Sequence, residues 1–510
     1  MARDLRSEPP EPARGAQVGR HVPPAEWRQA FEAELAPLLA RTKAPGVGIT
    51  LFDEGEVLLE AGCGHRDVER GLPVNADTIF GVASITKTFT AFSLQLLAQD
   101  GLLSLDDPVT DYLPFTLWEG RGPATLRHFL EHTSGLAPTP TMTWLRFASQ
   151  VGDPVSGEAT MREALTTVSG GLGEVGRLAE EVSSFEGLVD WLNGNAVLLA
   201  EPGELFSYSN DAFSLMGGVV ECVSGLRFEE FVRRRILAPL GMHRSTFALE
   251  DVLADPNRAT LYVSGSAPGG EGEVRPSDAW QTTGRMLGGG MLKSTLADLR
   301  AWVRHLMASP LAREMAHGRV SAGPGSTYGL GLRIEDAGDL TLVGHGGSLK
   351  GVSSYMAWVP ELGIGVVVLS NMVGLPSLKM ALMAVNAYAG RPVTRELHEP
   401  AEFSGSPEEA ERLLRDLLGS YASGEPYGRL RLYLDDAGEL KAAVGAPAQV
   451  VPAFLVGPDE VALRFEEYLA PVIFLRREEG REDGPEGKRE AGPVWAAHHG
   501  SRVLLRQEGR

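Results

Sequence analysis

Two groups of short strands, held apart by a long helical stretch, set the strongest limit on how this chain can fold. Residues 47–52 and 57–61 flank the turn Asp53-Glu54-Gly55-Glu56, so apolar and β-branched runs lie on either side of turn-forming residues. The same grammar returns far downstream. Residues 328–334, 340–343, 353–359 and 364–369 read as antiparallel strands, with Glu335-Asp336-Ala337-Gly338 and Pro360-Glu361-Leu362-Gly363 as turns. Residues 62–327 are mostly helical in pattern and far too long for a loop. A hairpin at the start can pair with hairpins at the end only if the chain returns to its origin. The expected fold class is α+β: an antiparallel sheet flanked by helices, with a helical lobe beside it and a cleft between sheet and lobe.

Helical spacing fills in the frame. Trp27, Phe31, Leu35, Leu38 and Leu39 predict an amphipathic helix over 26–41. Thr295-Leu296-Ala297-Asp298 reads as a capping box, opening a helix whose Leu299, Trp302, Val303 and Leu306 belong to the core. Residues 1–23 are charged and proline-rich, without the apolar segment of a signal peptide, and predict a disordered tail. No run approaches the ~20 apolar residues of a membrane span, so a cytoplasmic location is the expectation, a misassigned start leaving a secreted form open.

At 510 residues and 43% hydrophobic content the chain has room for two or three domains. A net charge of -20 excludes the basic stripe that a nucleic-acid partner requires. Cys63 and Cys222 lack metal-type spacing and read as buried free thiols, with one long-range disulfide as the other option. The pattern changes near residue 395. Residues 396–412 read as a polar linker closing a domain over 24–395. Residues 432–434, 440–444, 461–465, 472–475 and 494–497 are short apolar runs between turns, which predicts a small all-β, barrel-like domain over 413–510. Residues 476–493, nearly all charge and glycine, read as a solvated loop.

Chemistry first surfaces at Ser84 and Lys87, in the only Ser-x-x-Lys of a chain with seven lysines. Residues three apart on a helix share a face, and a lysine held neutral by burial can take the proton that makes a serine nucleophilic. Tyr208-Ser209-Asn210 follows the turn Pro202-Gly203-Glu204. A tyrosine oxygen near that pair can shuttle a proton, and the asparagine can donate to a substrate carbonyl; a loop tyrosine packed on the core is the plainer alternative. In Gly344-His345-Gly346-Gly347-Ser348 the glycines let a substrate lie against a strand edge, where backbone N–H groups can form half of an oxyanion hole; a flexible turn is the alternative. A rival chemistry is written in His128-Phe129-Leu130-Glu131-His132, which fits the His-x-x-Glu-His pattern of some zinc peptidases. A non-catalytic binding protein on the same fold is a further reading.

The ordered set SITK, YSN and HGGS, with His132-Thr133-Ser134-Gly135-Leu136 after the first, Pro239-Leu240-Gly241-Met242 after the second and Gly288-Gly289-Gly290-Met291-Leu292 before the third, resembles the serine β-lactamase-like superfamily. Its nearest likeness is to the class C branch, with penicillin-binding esterases, D-amino-acid peptidases and β-lactamases. The resemblance covers about residues 25–390. It implies that Ser84 is the acylated nucleophile, Lys87 its proton-transfer partner, Tyr208 the general base or acid, and Asn210 the group orienting a substrate amide or ester. The N–H groups of Ser84 and Ser348 would form the oxyanion hole, each donor worth about 3 kcal/mol.

No cofactor or metal is implied. Substrates would be small esters, amides or peptides, with homo-oligomerisation left open. Where β-lactamases of this type place a lysine that docks a substrate carboxylate, this chain has His345, a weaker electrostatic anchor. Ester or peptide substrates are therefore expected over efficient β-lactam hydrolysis, with a β-lactamase or penicillin-binding protein as the alternative. Residues 137–200 look longer than the family needs, and trimming 151–176 is expected to broaden activity on bulky esters. The final hundred residues resemble the lipocalin-like barrel of some peptidases in this superfamily.

Overall fold

The computed structural model describes residues 21–149, 167–168, 171–264, 273–277, 280–425, 428–445, 448–477 and 492–507. The described residues divide into two compact units, 21–397 and 398–507. The expected tail over 1–23, the loop over 476–493 and the trimming segment 151–176 lie largely outside the described residues.

The first unit is built on the returning sheet. Helix α1 (Trp27–Thr42) leads into β1 (Gly46–Asp53), β2 (Val57–Asp67) and the short β3 (Leu72–Pro73). Strands β4 (Phe80–Gly81), β5 (Leu261–Ser264), β6 (Val274–Ser277) and β7 (Lys293–Ser294) form two small ladders, β4 with β7 and β5 with β6. The chain then supplies β8 (Val320–Gly323), β9 (Ser326–Tyr328), β10 (Arg333–Asp336), β11 (Thr341–Leu349), β12 (Val352–Val359) and β13 (Ile364–Ser370). The main sheet has nine strands in the order β3-β2-β1-β13-β12-β11-β10-β9-β8. The first and last strand groups meet where β1 pairs antiparallel with β13, Val47 opposite Ser370 through to Asp53 opposite Ile364.

The central strands are apolar on both faces because helices cover both. Ile364, Val366 and Val368 pack with α1 and the Ser377–Ala389 helix, whereas Val367 and Leu369 point into the larger core with the Leu296–Ala308 helix and the lobe. Thr295 caps the Leu296–Ala308 helix by accepting from the Asp298 N–H. Leu299, Trp302, Val303 and Leu306 on it are at most 1% exposed. Trp302 stacks on Phe89 at 4.3 Å between ring centroids and donates from Nε1 to Thr88 Oγ1 at 3.0 Å, which ties this helix to α2 (Thr86–Gln99).

Three sequence expectations are corrected here. Residues 328–334 are not one strand but the end of β9 and the start of β10, broken where Gly331 adopts φ 68°; a Cβ there would lie 3.0 Å from the Lys87 carbonyl oxygen. β11 does not stop at Val343 but runs on through the glycines to Leu349. Both cysteines are free thiols, but only Cys63 is half-buried; Cys222 is exposed.

The second unit opens with a helix, Pro407–Leu417, capped by Ser406. It continues as a closed eight-stranded barrel of β14 (Gly419–Ala422), β15 (Arg429–Leu434), β16 (Leu440–Val444), β17 (Gln449–Gly457), β18 (Glu460–Arg464), β19 (Leu469–Arg476), β20 (Val494–His499) and β21 (Arg502–Arg506). Closure pairs Tyr421 of β14 with Arg506 of β21 and leaves no open sheet edge. Alternate residues fill the interior, among them Leu430, Leu432, Val461, Leu463, Val472 and Phe474. No described helix is long and apolar enough to cross a membrane.

Candidate active site

Strand β4 delivers the chain into a single 3-10 turn, Ala83–Ile85, which runs directly into α2. Ala83 has φ 47°, a left-handed conformation that costs an L-residue about 1–2 kcal/mol and persists only where its surroundings enforce it. Ser354 Oγ donates to the Val82 carbonyl at 2.8 Å, Thr86 Oγ1 donates to the Ala83 carbonyl at 2.7 Å, and the Leu292 N–H donates back to Thr86 Oγ1 at 3.1 Å. The turn holds Ser84 half-buried at the head of a buried helix.

One turn on, Lys87 is fully buried, and its amine converges on three acceptors. They are Ser84 Oγ at 3.2 Å, Asn210 Oδ1 at 2.8 Å and the Gly289 carbonyl. The sequence expectation relies on burial alone to set the state of this amine. The structure adds a matched shell, since an ammonium has three N–H donors. Its Nζ also lies 4.8 Å from the Tyr208 ring centroid and 5.6 Å from that of Phe213. Gly288 explains why glycines precede Met291: a Cβ there would meet the Phe213 carbonyl oxygen at 2.5 Å, so the helix bearing Asn210 could not pack this closely.

Asn210 is the first residue of the helix Asn210–Ser224, and Ser209 is its N-cap, accepting from the Ala212 N–H. This places Tyr208 just outside the helix, buried at 6% exposure. His132 supports it from below. The two rings lie 4.1 Å apart, and His132 Nδ1 accepts from the Ser209 N–H at 3.1 Å. Beside Asn210, the buried Asp211 accepts hydrogen bonds from Thr139 and Thr141, fastening the start of the helix α4 (Thr141–Ala148; α3 is Leu126–Leu130) to the Tyr208–Asn210 segment.

The third cluster comes from β11. Its neighbour β10 pairs only with Thr341 through Gly344. From His345 to Leu349, β11 is laddered to β12 alone, and no other described strand takes the second edge. Gly347 faces the Ala83–Ile85 turn so closely that a Cβ would lie 2.3 Å from the Val82 carbonyl oxygen and 2.4 Å from Ser354 Oγ. The half-open edge with Gly346, Gly347 and Ser348 thus runs alongside the turn that bears Ser84, a geometry in which two backbone donors can converge.

His345 itself is 6% exposed. Nδ1 lies 2.6 Å from the Gly346 carbonyl oxygen and Nε2 lies 2.8 Å from Tyr328 Oη. Burial, followed by the positive charge of Lys87, pushes its pKa down to about 3, although the Gly346 carbonyl pulls the other way. Burial likewise drives the fully buried Tyr328 hydroxyl well above its ordinary value. A further cavity beside the turn is lined by Ala83, Leu261, Trp280 and Val352 together with Lys293 and Lys350.

Ser84, Lys87 and Asn210 are therefore joined by hydrogen bonds, with Tyr208 against them and His345, Gly346, Gly347 and Ser348 on the adjoining strand. Sequence reasoning missed the supporting roles of His132, Asp211 and Tyr328. The His-Thr-Ser-Gly-Leu motif was the available signal for the first. The other two act through contacts between segments far apart in the chain.

The zinc-peptidase pattern does not assemble. α3 ends at Leu130, and His132 leaves it at φ 58°, so the two histidines do not share a helix face. His128 Nδ1 accepts from the Thr125 N–H at 3.2 Å, while Glu131 lies 3.2 Å from Arg319 Nε. Burial pushes the Glu131 carboxyl up to about 7. Among the described residues no group of three or more His, Cys, Asp or Glu is placed to hold a metal ion.

A nine-stranded sheet with a helical lobe, carrying a Ser-x-x-Lys helix at its cleft, defines a β-lactamase-like protein. The Beta-lactamase family model matches residues 31–389, and the chain belongs to that family. The D-aminopeptidase of Gluconobacter oxydans (strain 621H) is 29% identical over 349 residues, covering 67% of this chain and 58% of that protein. Protein flp of Staphylococcus aureus (strain MW2) is 26% identical over 345 residues, covering 66% of this chain and 61% of its own. The chain thus spans less than two thirds of the length of these relatives. Among solved structures, the octameric penicillin-binding protein homologue from Pyrococcus abyssi superimposes with a TM-score of 0.62 and 26% identity, over 94% of this chain and 100% of that one. SurE gives a TM-score of 0.63 at 23% identity, over 94% and 99%, a likeness of fold.

Proposed function

We propose that this chain is a serine hydrolase that forms a covalent acyl-enzyme on Ser84. The observation that carries this reading is the buried Lys87 amine 3.2 Å from Ser84 Oγ and 2.8 Å from Asn210 Oδ1. Ser84 Oγ attacks the acyl carbon, and the proton it loses enters the coupled Lys87–Tyr208 pair, from which it passes to the leaving amine or alcohol. Water then attacks the ester formed on Ser84 and releases the acid. Asn210 turns Oδ1 to Lys87, so its Nδ2 is the end that can donate to a substrate carbonyl. The N–H groups of Ser84 and Ser348 are assigned to the oxyanion.

The substrates we favour are small amides and peptides, D-configured at the acyl residue, with simple esters alongside. The D-aminopeptidase relative supports the first class. Homo-oligomerisation is proposed from the octameric Pyrococcus abyssi homologue, and light scattering on the purified chain tests it.

A panel of D- and L-aminoacyl p-nitroanilides, p-nitrophenyl esters and nitrocefin, run on the wild type and Ser84→Ala, tests the reading. The expected result is Ser84-dependent turnover that prefers D-aminoacyl amides and esters over nitrocefin. Preferential nitrocefin turnover would move the chain to the β-lactamases, and turnover surviving in Ser84→Ala would remove Ser84 from the mechanism.

A further inference from the structure

We propose that Tyr328 is a positioning residue that locks His345 as the Nδ1–H tautomer, so that the groove along β11 offers substrate neither a ring N–H nor a charge and selects substrates uncharged at that position. This rests on the hydrolase reading and names a determinant of its specificity.

Donor and acceptor chemistry fixes the assignment. The Gly346 carbonyl can only accept, so the proton on the 2.6 Å contact belongs to Nδ1. In the neutral ring Nε2 is then an acceptor, and the Tyr328 hydroxyl 2.8 Å away donates to it. Both ring nitrogens are spent inside the protein. A hydrogen bond donated to the neutral ring disfavours its charged form.

The surroundings act in the same direction. Lys87 on α2 and Arg333 on β10 are the charges acting on the ring, and both are positive. Tyr208 lies 6.2 Å and Tyr328 5.9 Å from it by ring centroids. Across the β12 ladder, Tyr355 stands opposite Gly346 with its hydroxyl pKa raised by burial, and Glu335 on β10 is held beside Arg333 at 3.6 Å.

Tyr328 is itself held in place. It is fully buried, its ring packs 5.0 Å from His132 and 5.3 Å from Phe206 by centroids, and its strand is laddered to β10 at Arg333. It is therefore a fixed donor, and its placement links the His132 platform under Tyr208 to the ring on β11.

Two measurements test the proposal on the full chain. In the first, histidine-selective 15N NMR, with the His345 signals assigned by their loss in His345→Gln, reads the ring directly. The expected signature is a protonated Nδ1 and an unprotonated Nε2 throughout pH 5.5–8; an imidazolium or an Nε2–H tautomer overturns the lock. In the second, kcat and KM are followed over the same range for matched ester pairs, phenyl acetate with 3-acetoxybenzoate and p-nitrophenyl butyrate with mono-p-nitrophenyl glutarate.

The wild type is expected to show a flat ratio of anionic to neutral kcat/KM. In Tyr328→Phe, Nε2 loses its donor and the ring, still held neutral by burial and Lys87, is freed to turn an N–H toward the groove, so the ratio for at least one pair should rise about five-fold or more across the whole range, mainly through KM. An equal ratio in both proteins overturns the selectivity claim. If Tyr328→Phe fails to fold, the wild-type NMR signature decides. Absence of any ester turnover, together with no acylation of Ser84 by a fluorophosphonate, would instead sink the hydrolase reading, and the ring measurement stands independently of it.

Discussion

The sheet-and-lobe unit and the barrel bury different kinds of side chain. The barrel core is aliphatic and aromatic, and its buried Tyr421 hydroxyl is discharged locally, onto the Leu417 carbonyl at 2.7 Å. Around Ser84, by contrast, Lys87, His132, Asp211 and His345 are all buried, each at 6% exposure or less. Buried polar groups are costly unless their partners are in place. Concentrating them at one cleft therefore marks where the molecule trades packing for chemistry, whereas the barrel buries a single such side chain among its described residues, His498.

The sharpest way to break this contrast is at Ser84. Ser84→Ala should lower hydrolysis by about 10^4-fold or more, whereas Tyr421→Phe, which removes a buried hydroxyl from the barrel, should leave kcat/KM within about two-fold. A steady-state assay of both variants with a p-nitrophenyl ester decides it. Next in size, Phe474→Ala should cost the barrel about 3–5 kcal/mol through the cavity it leaves, read as a drop in the urea midpoint of a barrel-specific probe.

Gly347→Ala sharpens the other side. Its methyl has to displace the Val82 carbonyl or Ser354, at about 1–3 kcal/mol for an overpacked site. Because the displaced atoms frame Ser84, acylation should slow by about 100-fold, far more than the stability loss explains. Gly438→Ala in the barrel, at φ 79° with nothing near its Cβ, should cost about 1–2 kcal/mol of backbone strain without touching the acylation rate. Stopped-flow labelling beside denaturant titrations checks the pair.

The effect that is smallest at neutral pH is on pH itself. His345 has a native pKa of about 3 against an ordinary 6.5. Below pH 6.5 the unfolded chain binds a proton that the native ring refuses, so this contribution to stability is complete above 6.5 and declines as pH falls toward 3. The slope is about 1.4 kcal/mol per pH unit for one group. His345→Gln should remove that slope from the unfolding of the first unit; an unchanged slope would show that the ring is charged in the folded protein.

The same contrast explains what could be read from sequence. Strands such as β12 and β13, apolar on both faces, announce themselves as continuous runs, and Thr295 with Asp298 marks a helix start. Ser84, Lys87, Tyr208 and Asn210 sit in short motifs whose spacing has a chemical reason. β17 was hidden because Pro452 and a mostly half-buried face blur its alternation, and β11 because its glycines look like a turn until Gly347 is seen pressed against Val82. Tyr328 read as the start of a strand. Its hydroxyl matters only because the topology sets β9 one strand beyond β10 from β11, within reach of His345, and no local pattern encodes that contact.

The central claim is that Ser84 is acylated through the Lys87 pair. Intact-protein mass spectrometry after treatment with a fluorophosphonate, followed by peptide mapping, tests it directly in the wild type, Ser84→Ala and Lys87→Met. The account predicts one adduct, on the peptide bearing Ser84, absent in Ser84→Ala and formed at least about 100-fold more slowly in Lys87→Met. An adduct on another residue, labelling at an unchanged rate in Lys87→Met, or no adduct with this or any other acylating probe would contradict it.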